Sequence, residues 1–160
     1  MNEIHSSFKH GDGLKIGKFC VIDEDVQVGN NVTIENFVLL KKGTRIGHNV
    51  FVDSYVRSSG HNVIGDNVIL RYGCTIAKGV IVDNYVFISP NVMTIYSNHK
   101  GEEIEGTFIG HHCHIGTAAV IGPGVNIVPH SVVGAMAYVS RSIDVPGIYT
   151  GIPARRKGNA

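Results

Sequence analysis

Residues 109–139 read IGHHCH IGTAAV IGPGVN IVPHSV VGAMAY V when taken six at a time. An aliphatic residue opens every group (Ile109, Ile115, Ile121, Ile127, Val133, Val139), and glycine follows it at Gly110, Gly116, Gly122 and Gly134. A fixed short period marks a repeat architecture and is read before any local propensity. Counted back in sixes, the same position holds Ile16, Ile22, Val28, Ile34, Leu40, Ile46, Val52, Ser58, Ile64, Leu70, Ile76, Val82, Ile88 and Thr94. Only Ser58 and Thr94 are not aliphatic, a regularity beyond chance in a chain that is 43% hydrophobic. Ile4 and His10 continue the register weakly toward the N-terminus.

The fifth position of each group is also apolar or small, as at Cys20, Val26, Val32, Cys74, Cys113 and Ala119. Positions five, six and one then point inward, outward and inward, which is a short strand of period two. Positions two to four supply glycine, asparagine and aspartate, the residues that tolerate a tight corner. So short a strand is stable only when successive coils stack, each hydrogen-bonded to the next at about 4.8 Å. Phe51, Ile69, Phe87, Leu39 and Met93 fall at outward positions, so some faces are expected to be covered by another subunit.

The chain has 160 residues, enough for one domain spanning 1–160 with a substantial core. With 14 basic and 13 acidic residues, a formal charge of +1 gives no field that would draw in nucleic acid or an acidic membrane surface. Three cysteines without a CxxC pair suit a reducing compartment and argue against a disulfide framework or structural zinc. Met1–Lys9 lacks the apolar run of a signal peptide, and no stretch approaches the ~20 apolar residues of a membrane span. A soluble, cytoplasmic protein is the expectation.

The register breaks once. Thr94 is followed in phase to His99, and the next first position is Ile109, leaving Lys100–Phe108 (KGEEIEGTF) as an excursion of nine residues. A polar insertion in a strict ladder reads as a loop with a task. His99 falls at an outward sixth position where the loop begins, with Ile81 and Val63 expected beneath it. The edge of a covered face suits a histidine that moves protons. His5, His10, His48, His112 and His130 fall in the tail or at corners and read as surface residues. Arg155, Arg156 and Lys157 form the one dense basic cluster, suited to phosphates.

The hexads, followed in order by Pro90-Asn91-Val92, His99, the excursion, Ile109-Gly110 and Ile115-Gly116, resemble the hexapeptide-repeat acyltransferases, and within them the sugar O-acetyltransferase branch. That resemblance implies an all-β fold, a left-handed parallel β-helix with three hexads per triangular coil and one protruding loop at about 100–108. The twenty clear units would make six to seven coils. It implies a homotrimer that moves an acetyl group from acetyl-CoA to a hydroxyl or amine of a sugar, nucleotide-linked sugars included. His99 would be the general base in a direct transfer, with backbone N–H groups holding the oxyanion. CoA would lie toward the C-terminal coils, where His114, Thr117, Ala135, Ser140 and Arg141 match the family by position. Gly151-Ile152-Pro153-Ala154-Arg155 matches the family's closing segment, and Arg155, Arg156 and Lys157 would meet the CoA phosphates. Asn84 and Tyr85, at a corner expected one coil below the loop, and Asn98 would lie on the acceptor side. No metal is expected. Cys74 and Cys113 sit at inward positions, which argues against a covalent intermediate.

Some residues depart from that pattern. Ser140-Arg141 replace the usual Thr-Lys, and Arg141-Ser142-Ile143-Asp144-Val145-Pro146 is two residues longer than the common turn. This ending resembles that of lipid A N-acyltransferases, whose donor is acyl carrier protein and whose His-Asn-Val strand is matched by His61-Asn62-Val63. A zinc protein like the γ-carbonic anhydrases, using His111, His112 and His114, and a non-catalytic scaffold are further alternatives. Against zinc, those three neighbours share one strand and corner and point in different directions.

Overall fold

The computed structural model describes residues 1–160, and successive hexads form short parallel strands. They collect into three sheets, here called faces A, B and C. Face A has eight strands, from Glu3–Ile4 to Tyr138–Val139, and face B has seven, from Lys9–His10 to Asn126–Ile127. Face C has nine, beginning at Lys15–Ile16, and is closed by Arg155–Gly158 running antiparallel to Ile148–Thr150. The chain visits A, B and C in turn, so Ile22 pairs with Leu40, Ile46 with Ile64 and Leu70 with Ile88. This is an all-β solenoid of about eight turns, longer than the six to seven expected. Ile4 and His10 account for part of the difference, pairing with Ile22 and Val28. The ladder joins backbone groups, so it extends past the point where the apolar pattern fades.

First-position and fifth-position side chains fill the interior. Val26, Ile34, Val52, Ile76, Ile115, Ile121 and Ile127 are all buried. Each such burial contributes about 1.5–3 kcal/mol. Corners turn through one left-handed residue: Asn31, Asn49 and Asn67 serve the lower B/C corner, and Phe19, Phe37 and Tyr55 the C/A corner. Asparagine adopts that conformation readily. The aromatic residues do so while stacked, at 5.2 Å for Phe19–Phe37 and 4.9 Å for Phe37–Tyr55.

The two exceptions to the aliphatic rule have one cause. Ser58 Oγ bonds Thr44 Oγ1 and donates to Asn62 Oδ1, Asn62 Nδ2 donates to the Ala77 carbonyl, and Thr94 Oγ1 accepts the Ala77 N–H at 2.7 Å. All four polar side chains are buried. They form a satisfied polar network inside the prism at its A/B corner.

The loop leaves from that same corner. Ile81 pairs with Phe108 and Met93 with Val120, so the ladder resumes without a slip. Gly106 (φ 89°) takes the left-handed slot of the corner, and Thr107 is buried like Thr44. Phe108 therefore belongs to the strand, and the excursion lies nearer the N-terminus than 100–108. Phe108, not His99, stands over Ile81 and Val63. The apolar side chain keeps the apolar column, and the polar one goes to solvent. Val63 and Ile81, neighbours on face B, and Met93 on face A remain 46%, 41% and 49% exposed. No helix is long and apolar enough to cross a membrane.

Candidate active site

The excursion is a folded hairpin. Ser97 and Glu103 form an antiparallel bridge. Asn98 Oδ1 accepts the N–H groups of Lys100 (2.9 Å) and Glu102 (3.1 Å), and its Nδ2 donates to Glu102 Oε2 at 2.7 Å. Asn98 thus holds the turn, and His99 sits exposed upon it. Two contacts tie the hairpin to the prism. Below, Lys78 Nζ donates to both Glu103 carboxylate oxygens at 2.9 and 2.8 Å, and that bond holds the Lys78 ammonium above its ordinary pKa. Above, Ile104 packs on the bare Cα of Gly124, where an added Cβ would lie 2.8 Å from Ile104 Cγ2. Gly124 also has φ +68°, so a side chain there would be strained as well as crowded.

Between hairpin and prism lies a cleft of about 470 Å³ lined by His61, Lys78, Ile81, Tyr96, Glu103 and Ile104. A second cleft of about 600 Å³ adjoins it on face A, shares His61 and Lys78, and adds Lys41, Lys42 and Arg57. Lys41 and Lys42 pair with Asp23 (3.3 Å) and Glu24 (2.8 Å), whereas Arg57 has no acidic partner within 4.0 Å. The Lys42 hydrogen bond lowers the Glu24 pKa. The face-A cleft carries four basic side chains against Asp23, whereas the hairpin cleft sets Lys78 against Glu103 and Glu105, and the buried Ser58–Asn62 network lies directly behind His61. Sequence reasoning left Lys78 and Tyr96 out and gave His61 a separate role. Counting eighteen residues back from the hairpin would have reached Gly79 and Lys78.

Asn84 and Tyr85 do not join this site within one chain. The hairpin fills an A/B corner, whereas these two residues lie at the next corner, B/C. There Asn84 Oδ1 accepts the Asp66 N–H at 2.7 Å, and Tyr85 stacks on His112 at 4.9 Å. The expected placement one coil below the loop is eighteen residues back from the middle of the hairpin, whereas the chain leaves the ladder just after Thr94, one corner earlier.

The C-terminal end gathers part of the expected CoA set. Ser140, Arg141, Arg155 and Arg156 line one cleft of about 270 Å³ with Ile143, Tyr149 and Ala154. Arg155 and Arg156 lie on the antiparallel closing strand, as does Lys157, and all three are exposed. Thr117 and Ala135 lie one above the other at the C/A corner, both exposed. His114 stands on face C, stacked on Phe87 at 5.0 Å with its Nε2 3.3 Å from Ser89 Oγ. His111 and His112 are turned away from it, toward His130 on the next coil. Cys20, Cys74 and Cys113 are free and buried. Burial pushes the Cys74 thiol from 9.0 up to about 12 and raises Cys113 as well, so neither offers a thiolate near neutrality.

Comparison with known proteins shows what this chain is similar to. A family model described as bacterial transferase hexapeptide (six repeats) matches residues 9–42. Galactoside O-acetyltransferase of Escherichia coli (strain K12) is 33% identical over 110 residues, 61% of this chain and 54% of that protein. The chain therefore spans about half the length of this curated relative. LpxA from Acinetobacter baumannii overlays with a TM-score of 0.72 at 18% identity, covering 99% of this chain and 72% of that one. A maltose O-acetyltransferase from Clostridium difficile 630 overlays with a TM-score of 0.64 at 24% identity, covering 74% and 70%. The overlays define the fold as a left-handed parallel β-helix. The sequence matches show the likeness to hexapeptide-repeat acyltransferases that the hexads and the His99 loop had suggested.

Proposed function

We propose that this protein is an acyltransferase that moves an acetyl group from acetyl-CoA to a hydroxyl or amine of a sugar, with His99 as general base. The likeness to galactoside O-acetyltransferase carries the reading, and the exposed position of His99 on a folded hairpin that walls a cleft supports it. His99 takes the acceptor proton as the acceptor oxygen or nitrogen attacks the thioester carbonyl. Backbone N–H donors hold the oxyanion, and the CoA thiolate leaves. Transfer is direct, in keeping with buried, protonated cysteines. The Arg155–Arg156 end takes the CoA phosphates. Arg57, which has no acidic partner, with the paired Lys41 and Lys42 beside it, suits a nucleotide-linked sugar, whose phosphates need local cations in a chain of nearly zero net charge. The exposed Val63, Ile81 and Met93 are covered in a homotrimer, and the free cysteines suit the cytoplasm.

His61 is the second reading for the base, because it lines both clefts beneath the hairpin. Initial rates of acetyl transfer over a panel of hydroxy- and amino-sugars, free and nucleotide-linked, decide between them. His99→Ala is expected to lower kcat by about 10²–10⁴ while His61→Ala stays within tenfold. The reverse order would assign the chemistry to His61, and absence of transfer in the wild type would remove the reading.

A further inference from the structure

The B/C corner repeats one device up the prism, and it stops at one place. A side chain in each coil accepts the backbone N–H of its counterpart eighteen residues earlier. Asn30 Oδ1 takes that of Asp12 (2.9 Å), His48 Nδ1 that of Asn30 (2.9 Å), Asp66 Oδ1 that of His48 (2.7 Å) and Asn84 Oδ1 that of Asp66 (2.7 Å). His111 is next in the column and does not take the role. The Asn84 N–H goes instead to Asp83 Oδ1 at 2.7 Å. Above His111 the column ends in Pro129, whose side chain has no acceptor. The left-handed slot beside the column changes over the same span. It is Asn31, Asn49 and Asn67 below, and Tyr85, His112 and His130 above.

Released from the ladder, His111 turns to the other two imidazoles. Its Nδ1 lies 3.0 Å from His112 Nδ1. The three ring centroids are 5.0–5.2 Å apart, with His111 edge-on to both partners. One ring nitrogen from each lies within 4.8 Å of the others. Two imidazole lone pairs at that separation need a proton or a cation between them. A zinc–nitrogen bond of about 2.0–2.1 Å puts two nitrogens about 3.3 Å apart on a tetrahedral ion and about 2.9 Å apart on an octahedral one. The observed 3.0 Å falls between these.

We propose that His111, His112 and His130 form a binding site for a divalent first-row metal ion of the zinc and nickel type. An all-imidazole set favours such ions over magnesium and calcium, which require oxygen ligands. His112 and His130 are exposed, so the ion enters from solvent and keeps open positions. The site spans two successive coils, His111 and His112 on one and His130 on the next, and the ion ties them together. It stands at the B/C corner, apart from the His99 hairpin, and does not depend on the proposed transferase chemistry.

The test is calorimetric titration of zinc chloride into the chelator-stripped full chain, beside His112→Asn, His130→Asn and His48→Asn. Asparagine occupies the same left-handed slot in the lower coils, so the first two variants keep the corner's backbone. One zinc per chain is expected in the wild type and in His48→Asn, with binding at least tenfold weaker in the other two. A raised melting temperature with zinc is expected only where the site is intact. A wild type that takes up no stoichiometric zinc would overturn the proposal, as would less than tenfold weakening in either His112→Asn or His130→Asn.

Discussion

His48 and His111 stand in the same column of the B/C corner, yet one is a rung and the other is free. His48 Nδ1 accepts the Asn30 N–H at 2.9 Å, and its own N–H goes to Asp66 at 2.7 Å. No such bond holds His111, whose Nδ1 faces another imidazole. The same contrast separates the B/C-corner column up to Asn84 from its continuation above. Below, corner side chains complete the backbone ladder, as Asp66 and Asn84 do at 2.7 Å. Above lie the hairpin, the histidine cluster and the basic closing strand. A repeat fold makes the comparison sharp, because both regions share one backbone. A side chain of this corner column is free to meet a ligand only where the ladder no longer uses it.

Core changes set the upper limit of effect and are expected to ignore the boundary between the regions. Ile64→Ala and Ile115→Ala each remove a buried first-position side chain, and each should cost about 2–5 kcal/mol in denaturant unfolding. A large difference between the two would show that one half is held by something besides its core. Corner changes should respect the boundary. His48→Ala removes the acceptor of a backbone N–H and is expected to cost about 1 kcal/mol. In metal-free protein, His111→Ala should stay within about 0.5 kcal/mol of the wild type. Equal losses at the two positions would break the comparison.

The architecture was legible because inward slots must be apolar, so the six-residue period records the core directly. What the period could not record was which residues fill the slots at an interruption. Counting forward gave His99 the outward position over Ile81, whereas counting back from Ile109 gives it to Phe108, and apolar stacking decides for Phe108. Ser58 and Thr94 looked like lapses because the partners that justify them lie off the first-position register: Thr44 and Asn62 for Ser58, and the Ala77 N–H and Thr75 carbonyl for Thr94. The candidate site suffered from the same limit. Its parts come together at intervals of eighteen residues, or twenty-seven across the hairpin, as with His61 and Lys78 beneath residues 97–106. The sequence reading kept His111 and His112 with their neighbour His114. The coil instead pairs them with His130, eighteen residues beyond His112, and sends His114 to another face.

The proposal that the Arg155–Arg156 end holds the donor while the B/C-corner rungs only support the fold is tested most directly by calorimetric binding of acetyl-CoA. The wild type, His99→Ala and His48→Ala should bind alike, and Arg155→Ala/Arg156→Ala at least tenfold more weakly, because charge-assisted bonds to phosphate are lost. Absence of binding in the wild type, or undiminished binding in the double variant, would contradict the account.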